Sequence, residues 1–204
     1  MKNIILASNS PRRKEILEKY NFKFEIKTSD SDEINYPKFS EDNVKSNSKN
    51  KAYSVAKNLT QNSLIIAADT VVVLNSVCLV KPQSFYEALF MLKKLSSNTH
   101  KVITSHTILD TETDKEITEL STSYVRFRKL SIFEIIKYII QKNPLDKAGS
   151  YGIQDFINED NYKNPPHESF IEEISGSYYN IMGLDIELVQ KMLLNFWIAL
   201  FLCV

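Results

Sequence analysis

The sequence predicts an α/β fold built on a mixed sheet. Three observations carry this. Short apolar runs of strand type alternate along the chain with segments of helical spacing. Two strands, about 101–109 and 117–127, follow one another across the charged turn Asp110–Glu116 as a hairpin-like pair, so the sheet is not wholly parallel. The 204 residues, 43% hydrophobic and 25% charged, suit one domain or two closely packed lobes around a real core.

Residues 3–8 form a short apolar run, the pattern of a buried strand. Ser10-Pro11 then starts a helix, with Ser as N-cap and Pro at the first helical position, running to about Tyr20. Residues 22–27 read as a second strand and 28–42 as a polar loop. A helix is expected over 42–58, followed by a long central strand from Ser63 to Leu74. After Lys81-Pro82, the residues Phe85, Ala88, Leu89, Leu92 and Leu95 share one helical face. In the second strand of the hairpin-like pair, Ser121, Ser123, Val125 and Phe127 share a face. Ser131 and Glu134 make a capping box, with an apolar stripe of Ile132, Ile135, Ile136, Ile139 and Ile140 behind it. Asn143-Pro144 ends that helix; 144–167 is loop-rich. A strand near 169–174 and a last helix near 178–194 complete the order.

Lys+Arg and Asp+Glu both number 25, so no global basic field exists to hold DNA or RNA. Any phosphate site must be a local cluster of cations. Cys78 and Cys203 match no metal or redox spacing and read as reduced thiols of a cytoplasmic protein. His100, His106 and His167 lack metal-ligand spacing and read as structural or exposed. The N-terminal apolar run is too short for a signal peptide. From Met192 to Val204 no charge appears, yet this run is shorter than the ~20 residues of a membrane span. The tail 195–204 is expected to be a buried end or an oligomer contact rather than an anchor.

Four stretches look like chemistry. In Ser8-Asn9-Ser10-Pro11-Arg12-Arg13 a strand ends, a helix begins, and two arginines sit in its first turn. A helix start already favours an anion, and cations there oppose the dipole unless something such as phosphate compensates them. A solvated basic helix start is the plain alternative. Asp69, with Thr70 beside it, interrupts the apolar run from Leu64 to Leu74. A carboxylate there is costly without cations or a metal. The bland reading, a turn-capping Asp, is disfavoured because apolar residues resume after Thr70. Lys81, between Val80 and Pro82, and Lys51 are candidate cations, although lone lysines are usually solvated. Lys147–Gln154 holds two of the chain's four glycines and Gln154, whose amide suits a base edge; otherwise it is a turn. The acids Asp30, Asp32 and Glu33 offer oxygen ligands to a hard cation, though such a group is more often a polar loop.

Taken together, these stretches resemble the Maf family over nearly the whole chain. The resemblance rests on residues 5–17, Lys-Asn-Lys-Ala (49–52), Ala-Asp-Thr-Val-Val (68–72), Lys81-Pro82, residues 88–96, His-Lys-Val-Ile-Thr (100–104), Asp-Lys-Ala-Gly-Ser-Tyr-Gly-Ile-Gln (146–154) and residues 176–184, in order and spacing. It implies an elongated α/β fold with two lobes around a central cleft, over a domain spanning 1–194. It implies metal-dependent cleavage of a nucleoside triphosphate between the α- and β-phosphates. The Tyr-Gly-Ile-Gln version of the late motif is similar to that of the dTTP/UTP branch rather than the 7-methyl-GTP branch. By position, Asp69 would be the catalytic carboxylate. Ser8, Arg12, Arg13, Lys51, Thr70, Lys81 and Gln154 would bind substrate, with Arg12, Thr70 and Gln154 tied to its choice. Glu33 and Asp69 would hold Mg²⁺ or Mn²⁺. Three positions depart from the pattern: Ser97 and Asp155 stand where Gly is usual, and Asp185 where Pro is usual.

Phosphoryl chemistry chiefly needs positioning and charge neutralisation. Arg12 and Arg13 are suited to clamp phosphate oxygens bidentately, with Lys51 and Lys81 as point charges. A nucleotide-binding regulator of cell division is the competing reading, but binding alone needs no carboxylate among phosphates. Direct DNA binding is disfavoured by zero net charge and the lack of a basic helix face. A homodimer is a further expectation.

Overall fold

The computed structural model describes residues 2–29, 31 and 38–201, the last five by backbone alone. Asp30, Asp32, Glu33 and Cys203 lie outside the described residues. Strand β1 (Asn3–Leu6) pairs in parallel with β2 (Glu25–Ile26) on one edge and with β3 (Ser63–Leu74) on the other. The far edge of β3 carries β5 (Thr99–Asp110), antiparallel from Leu64↔Asp110 to Val73↔Lys101. β6 (Glu116–Phe127) and β7 (Ile171–Ser175) extend the sheet, each antiparallel to its neighbour. β4 (Val77–Leu79) folds back onto the end of β3. The sheet is therefore mixed, and the expected hairpin pair is β5–β6.

Helices cover both faces. The odd-numbered side chains Ile65, Ala67, Val71 and Val73 of β3 pack with Val44, Ala52 and Val55 of α2 (Glu41–Ala56). The even-numbered Leu64, Ile66, Ala68 and Val72 enter the main core. That core is closed by α1 (Pro11–Lys19), α3 (Phe85–Leu95), α4 (Ile132–Lys142), α5 (Tyr178–Met182) and α6 (Ile186–Phe201). Burial on both faces explains why β3 reads as an apolar run, interrupted only at Asp69 and Thr70, rather than as an alternation.

Several boundaries differ from the sequence expectation. β1 stops at Leu6 because residues 7–10 turn away toward α1. The strand expected over 22–27 shrinks to Glu25–Ile26. The single helix expected over 178–194 is two: Gly183, at φ 116°, ends α5 in the left-handed region, and α6 starts at Ile186. α6 continues to Phe201, so the backbone of the apolar tail is helical that far. Ser10 occupies the N-cap of α1, but its side chain makes no cap; its own N–H goes to Ser8 Oγ at 3.2 Å. On α4 the capping box forms, while the buried face is Ile135, Tyr138 and Ile139. Ile132 and Ile140 are 43% and 70% exposed, because seven of the nine positions 132–140 are apolar and the helix turns Tyr138 to the Phe156 and Phe170 rings.

The sheet also leaves a gap. β1 covers β3 over Ser63–Ile66 and β4 covers the same edge over Val72–Leu74. Between them, residues 67–71 have no strand partner on that edge among the described residues, and Asp69 and Thr70 sit there. This is where the parallel part of the sheet gives way to the antiparallel part, the kind of switch point at which α/β sheets collect ligands.

Candidate active site

A cleft of about 400 Å³ opens at this gap, a size ordinary for small-molecule sites. Its wall includes Ser8, Arg12, Arg13, Lys51, Asp69, Thr70, Lys81 and Gln154. Every binding or catalytic residue expected from the sequence therefore reaches one cavity, apart from Glu33, which lies outside the described residues. The charged lining among the described residues is five cations, Arg12, Arg13, Lys51, Lys81 and Lys147, against two carboxylates, Asp69 and Asp146. A neutral protein thus concentrates positive charge in one place.

Asp69 and Thr70 are adjacent, so their side chains leave β3 on opposite faces. Asp69 turns toward α2. Lys51 Nζ donates to its Oδ1 at 2.6 Å, and Asn47 Nδ2 donates to its Oδ2 at 3.1 Å. Asn47 and Lys51 are four residues apart and share one face of α2. Asp69 is only 6% exposed, and its two buried partners offset the cost of enclosing a carboxylate. The helix itself is pinned by Ser48 Oγ, which contacts Ser105 Oγ and Thr107 Oγ1 at 2.7 and 2.8 Å.

Thr70 turns to the other face and meets Arg13. The Arg13 guanidinium donates to Thr70 Oγ1 at 3.1 Å, to Ser8 Oγ at 3.0 Å and to the Gly183 carbonyl at 2.8 Å. It thereby ties β1, β3 and the end of α5 together. Arg13, expected to clamp phosphate, thus also braces the protein. Gly183 has a physical reason to be glycine, since its φ of 116° lies in a region that side chains rarely adopt. Asn180 fixes α5 against the sheet, donating to the Val102 carbonyl and Ser123 Oγ at 3.0 and 2.9 Å.

Sequence reasoning gave no individual role to Asn47, Asp146, Lys147 or Gly183, although Lys147 opens one of the four stretches and Asp146 and Gly183 fall in the motifs of the resemblance. Spacing could have found Asn47, four residues before Lys51; the others needed the loops in place. Asp146 Oδ2 accepts from Arg12 Nη1 at 3.0 Å, and its Oδ1 accepts from Lys147 Nζ at 2.6 Å. Partial burial works against the Asp146 charge, yet these hydrogen bonds and charges outweigh it and hold its carboxyl below the usual range.

The unusual residues do not enter the cleft. Asp155 turns to α4, accepting from the Tyr138 hydroxyl at 2.7 Å, and that hydroxyl accepts from the Gly152 N–H at 3.0 Å. Asp185 donates its backbone N–H to His106 Nε2 at 2.9 Å. Burial, with the charge of Arg13 added, pushes His106 down to about 3. His100 is likewise lowered to about 3 by burial, and its Nε2 contacts the Tyr151 hydroxyl at 2.8 Å. Both are structural, as expected; His167 is exposed. Burial, then the charge of Asp69, raises the Cys78 thiol to about 11, so this thiol stays protonated. No group of three His, Cys, Asp or Glu suited to a metal occurs among the described residues. Among them, too, no helix is long and apolar enough to cross a membrane.

A family model described as Maf-like protein matches residues 3–196. The chain is 42% identical over 199 residues to a Clostridium perfringens (strain SM101) protein named dTTP/UTP pyrophosphatase, covering 97% of this chain and 98% of that one. A Clostridium botulinum (strain Kyoto) protein of the same name is 39% identical over 206 residues, covering 98% and 100%. One from Caldicellulosiruptor saccharolyticus, again so named, is 38% identical over 197 residues, covering 95% and 94%.

Proposed function

Because the chain belongs to the Maf family, we propose that it hydrolyses nucleoside triphosphates to the monophosphate and pyrophosphate, with dTTP and UTP as its substrates. The observation that carries this reading is a buried carboxylate, Asp69, set in a cleft that five cations line among the described residues. A triphosphate brings close to four negative charges, which such a cleft neutralises. A regulator that only held nucleotide would have no use for the carboxylate.

In this mechanism Arg12 and Arg13 hold phosphate oxygens, and Lys51 and Lys81 add point charges. Asp69 orients a water for attack on the α-phosphorus and takes up its proton, while Lys51 and Asn47 fix the carboxylate's direction. Gln154, exposed at the cleft, presents an amide to the base edge. Mg²⁺ characteristically takes one or two carboxylates together with substrate phosphates, and the Asp69 carboxylate suits that donor set, since each oxygen keeps a lone pair beyond its one bond to Lys51 or Asn47. Asp69 and, outside the described residues, Glu33 would hold Mg²⁺ or Mn²⁺. When bound, the ion supplies charge neutralisation and a more acidic water.

The same reading places the protein in the cytoplasm, acting on free nucleotides rather than nucleic acid. It includes a homodimer, for which the exposed Tyr86, Phe90 and Phe133 provide apolar surface. The test is a panel of nucleoside triphosphates, including modified pyrimidine nucleotides and 7-methyl-GTP, assayed for pyrophosphate with Mg²⁺ or Mn²⁺. Pyrophosphate released fastest from dTTP and UTP is expected. Orthophosphate as product, or no release from any nucleotide, would overturn the reading; preference for 7-methyl-GTP would overturn its base assignment.

A further inference from the structure

Arg12 lies in the first turn of α1, where a cation opposes the helix dipole and no acidic residue of that turn offsets it. The compensation comes from the far wall of the cleft. One oxygen of Asp146 takes Arg12 and the other takes Lys147, at 3.0 and 2.6 Å. The two cations are largely enclosed, with side chains 20% and 13% exposed, whereas the Asp146 side chain is 57% exposed. Among the described residues Asp146 is the ion-pair partner of both. A two-oxygen anion held at the solvent side by two enclosed cations occupies them as two oxygens of a phosphate group would.

We propose that Lys147 is a phosphate-binding residue alongside Arg12, and that Asp146 is their exchangeable counter-ion, displaced when the polyphosphate of the substrate enters. This rests on the pyrophosphatase reading of the cleft. Asp146 holds its side of both pairs in solvent, so exchange is cheap, and polyphosphate with several oxygens outcompetes one carboxylate. Binding is nevertheless weakened for every anion by the same exchange, which favours release of the pyrophosphate product.

The test is calorimetric binding of inorganic tripolyphosphate, without divalent metal, to the wild-type protein, Asp146→Asn, Lys147→Gln and the double variant, with thermal unfolding as a check on folding. Lys147→Gln should weaken binding by about tenfold, the scale of a hydrogen bond to a charged group. Asp146→Asn should tighten it several-fold. The loss from Lys147→Gln should be larger in the Asp146→Asn background than in the wild type, because no pair then has to be broken. Additive effects would mean that Asp146 acts only as a nearby negative charge, and would overturn the exchange. Unchanged binding in Lys147→Gln would overturn the assignment of Lys147. Wild-type protein that binds no tripolyphosphate sinks both this and the phosphate reading of the cleft. The predicted pattern in a protein that releases no pyrophosphate sinks the hydrolase reading alone.

Discussion

Arg13 Nε donates to the carbonyl of Gly183 at 2.8 Å, across 170 residues of sequence, and joins the first helix to the fifth behind the cleft. With its bonds to Ser8 and Thr70, this makes Arg13 a brace as well as a cation. Arg13→Lys keeps the charge and loses the fork. The buried partners left behind should cost about 1–3 kcal/mol in unfolding free energy. Denaturant titration of Arg13→Lys measures this; an unchanged midpoint would mean that the guanidinium serves only the ligand.

Asp155 sits beside Gln154 in sequence but faces the Tyr138 hydroxyl in space. Asp155→Ala should lower stability by about 1 kcal/mol and leave the ratio of dTTP to UTP turnover as it was. Steady-state kinetics on both nucleotides check this. A shifted ratio would place Asp155 in base selection.

Asp185 stands one residue before α6, where its N–H serves no intrahelical hydrogen bond that a proline would remove. Helix geometry alone therefore predicts a neutral Asp185→Pro. The hydrogen bonds predict otherwise, since the buried His106 Nε2 loses its donor and Ser121 Oγ loses the Asp185 carboxylate, at a cost of about 1–3 kcal/mol. Thermal unfolding of this variant separates the two.

His100 and His106 are 1% and 0% exposed, and both are held near pKa 3 in the fold against the ordinary 6.5. Between those values the unfolded chain binds the extra protons, so stability rises with pH and is lost as pH falls below 6.5. The limiting slope is about 1.4 kcal/mol per pH unit for each histidine. Urea titrations between pH 6.5 and 5, above the range of most carboxylates, should show it. His106→Gln should flatten the slope; an equal slope would assign the acid lability elsewhere.

Much of this architecture is legible in the residues. The long apolar run of β3 reads as a strand buried on both faces, and the lone acid within it marks the cleft. The Ser131–Glu134 box places the start of α4. Strand β4 is not legible, because its turn is Asn75-Ser76, with φ of 50° and 66°, where a hairpin signal would be Asn-Gly. The buried face of α4 is not legible either. Nearly every position from Ile132 to Ile140 is apolar, so periodicity cannot choose Tyr138 over Ile140. The ion pairs of Asp146 depend on the loop after α4 returning to the start of α1, which no local pattern encodes.

Asp69 bears the central claim. The decisive measurement is pyrophosphate release from dTTP by Asp69→Asn beside the wild type, with circular dichroism and unfolding recorded on both. Asparagine keeps the shape and loses the charge and the basic oxygen. Turnover should fall by at least ~10²-fold with the fold intact, the scale of a group acting in proton transfer. Near-wild-type release from a folded Asp69→Asn protein would contradict the account.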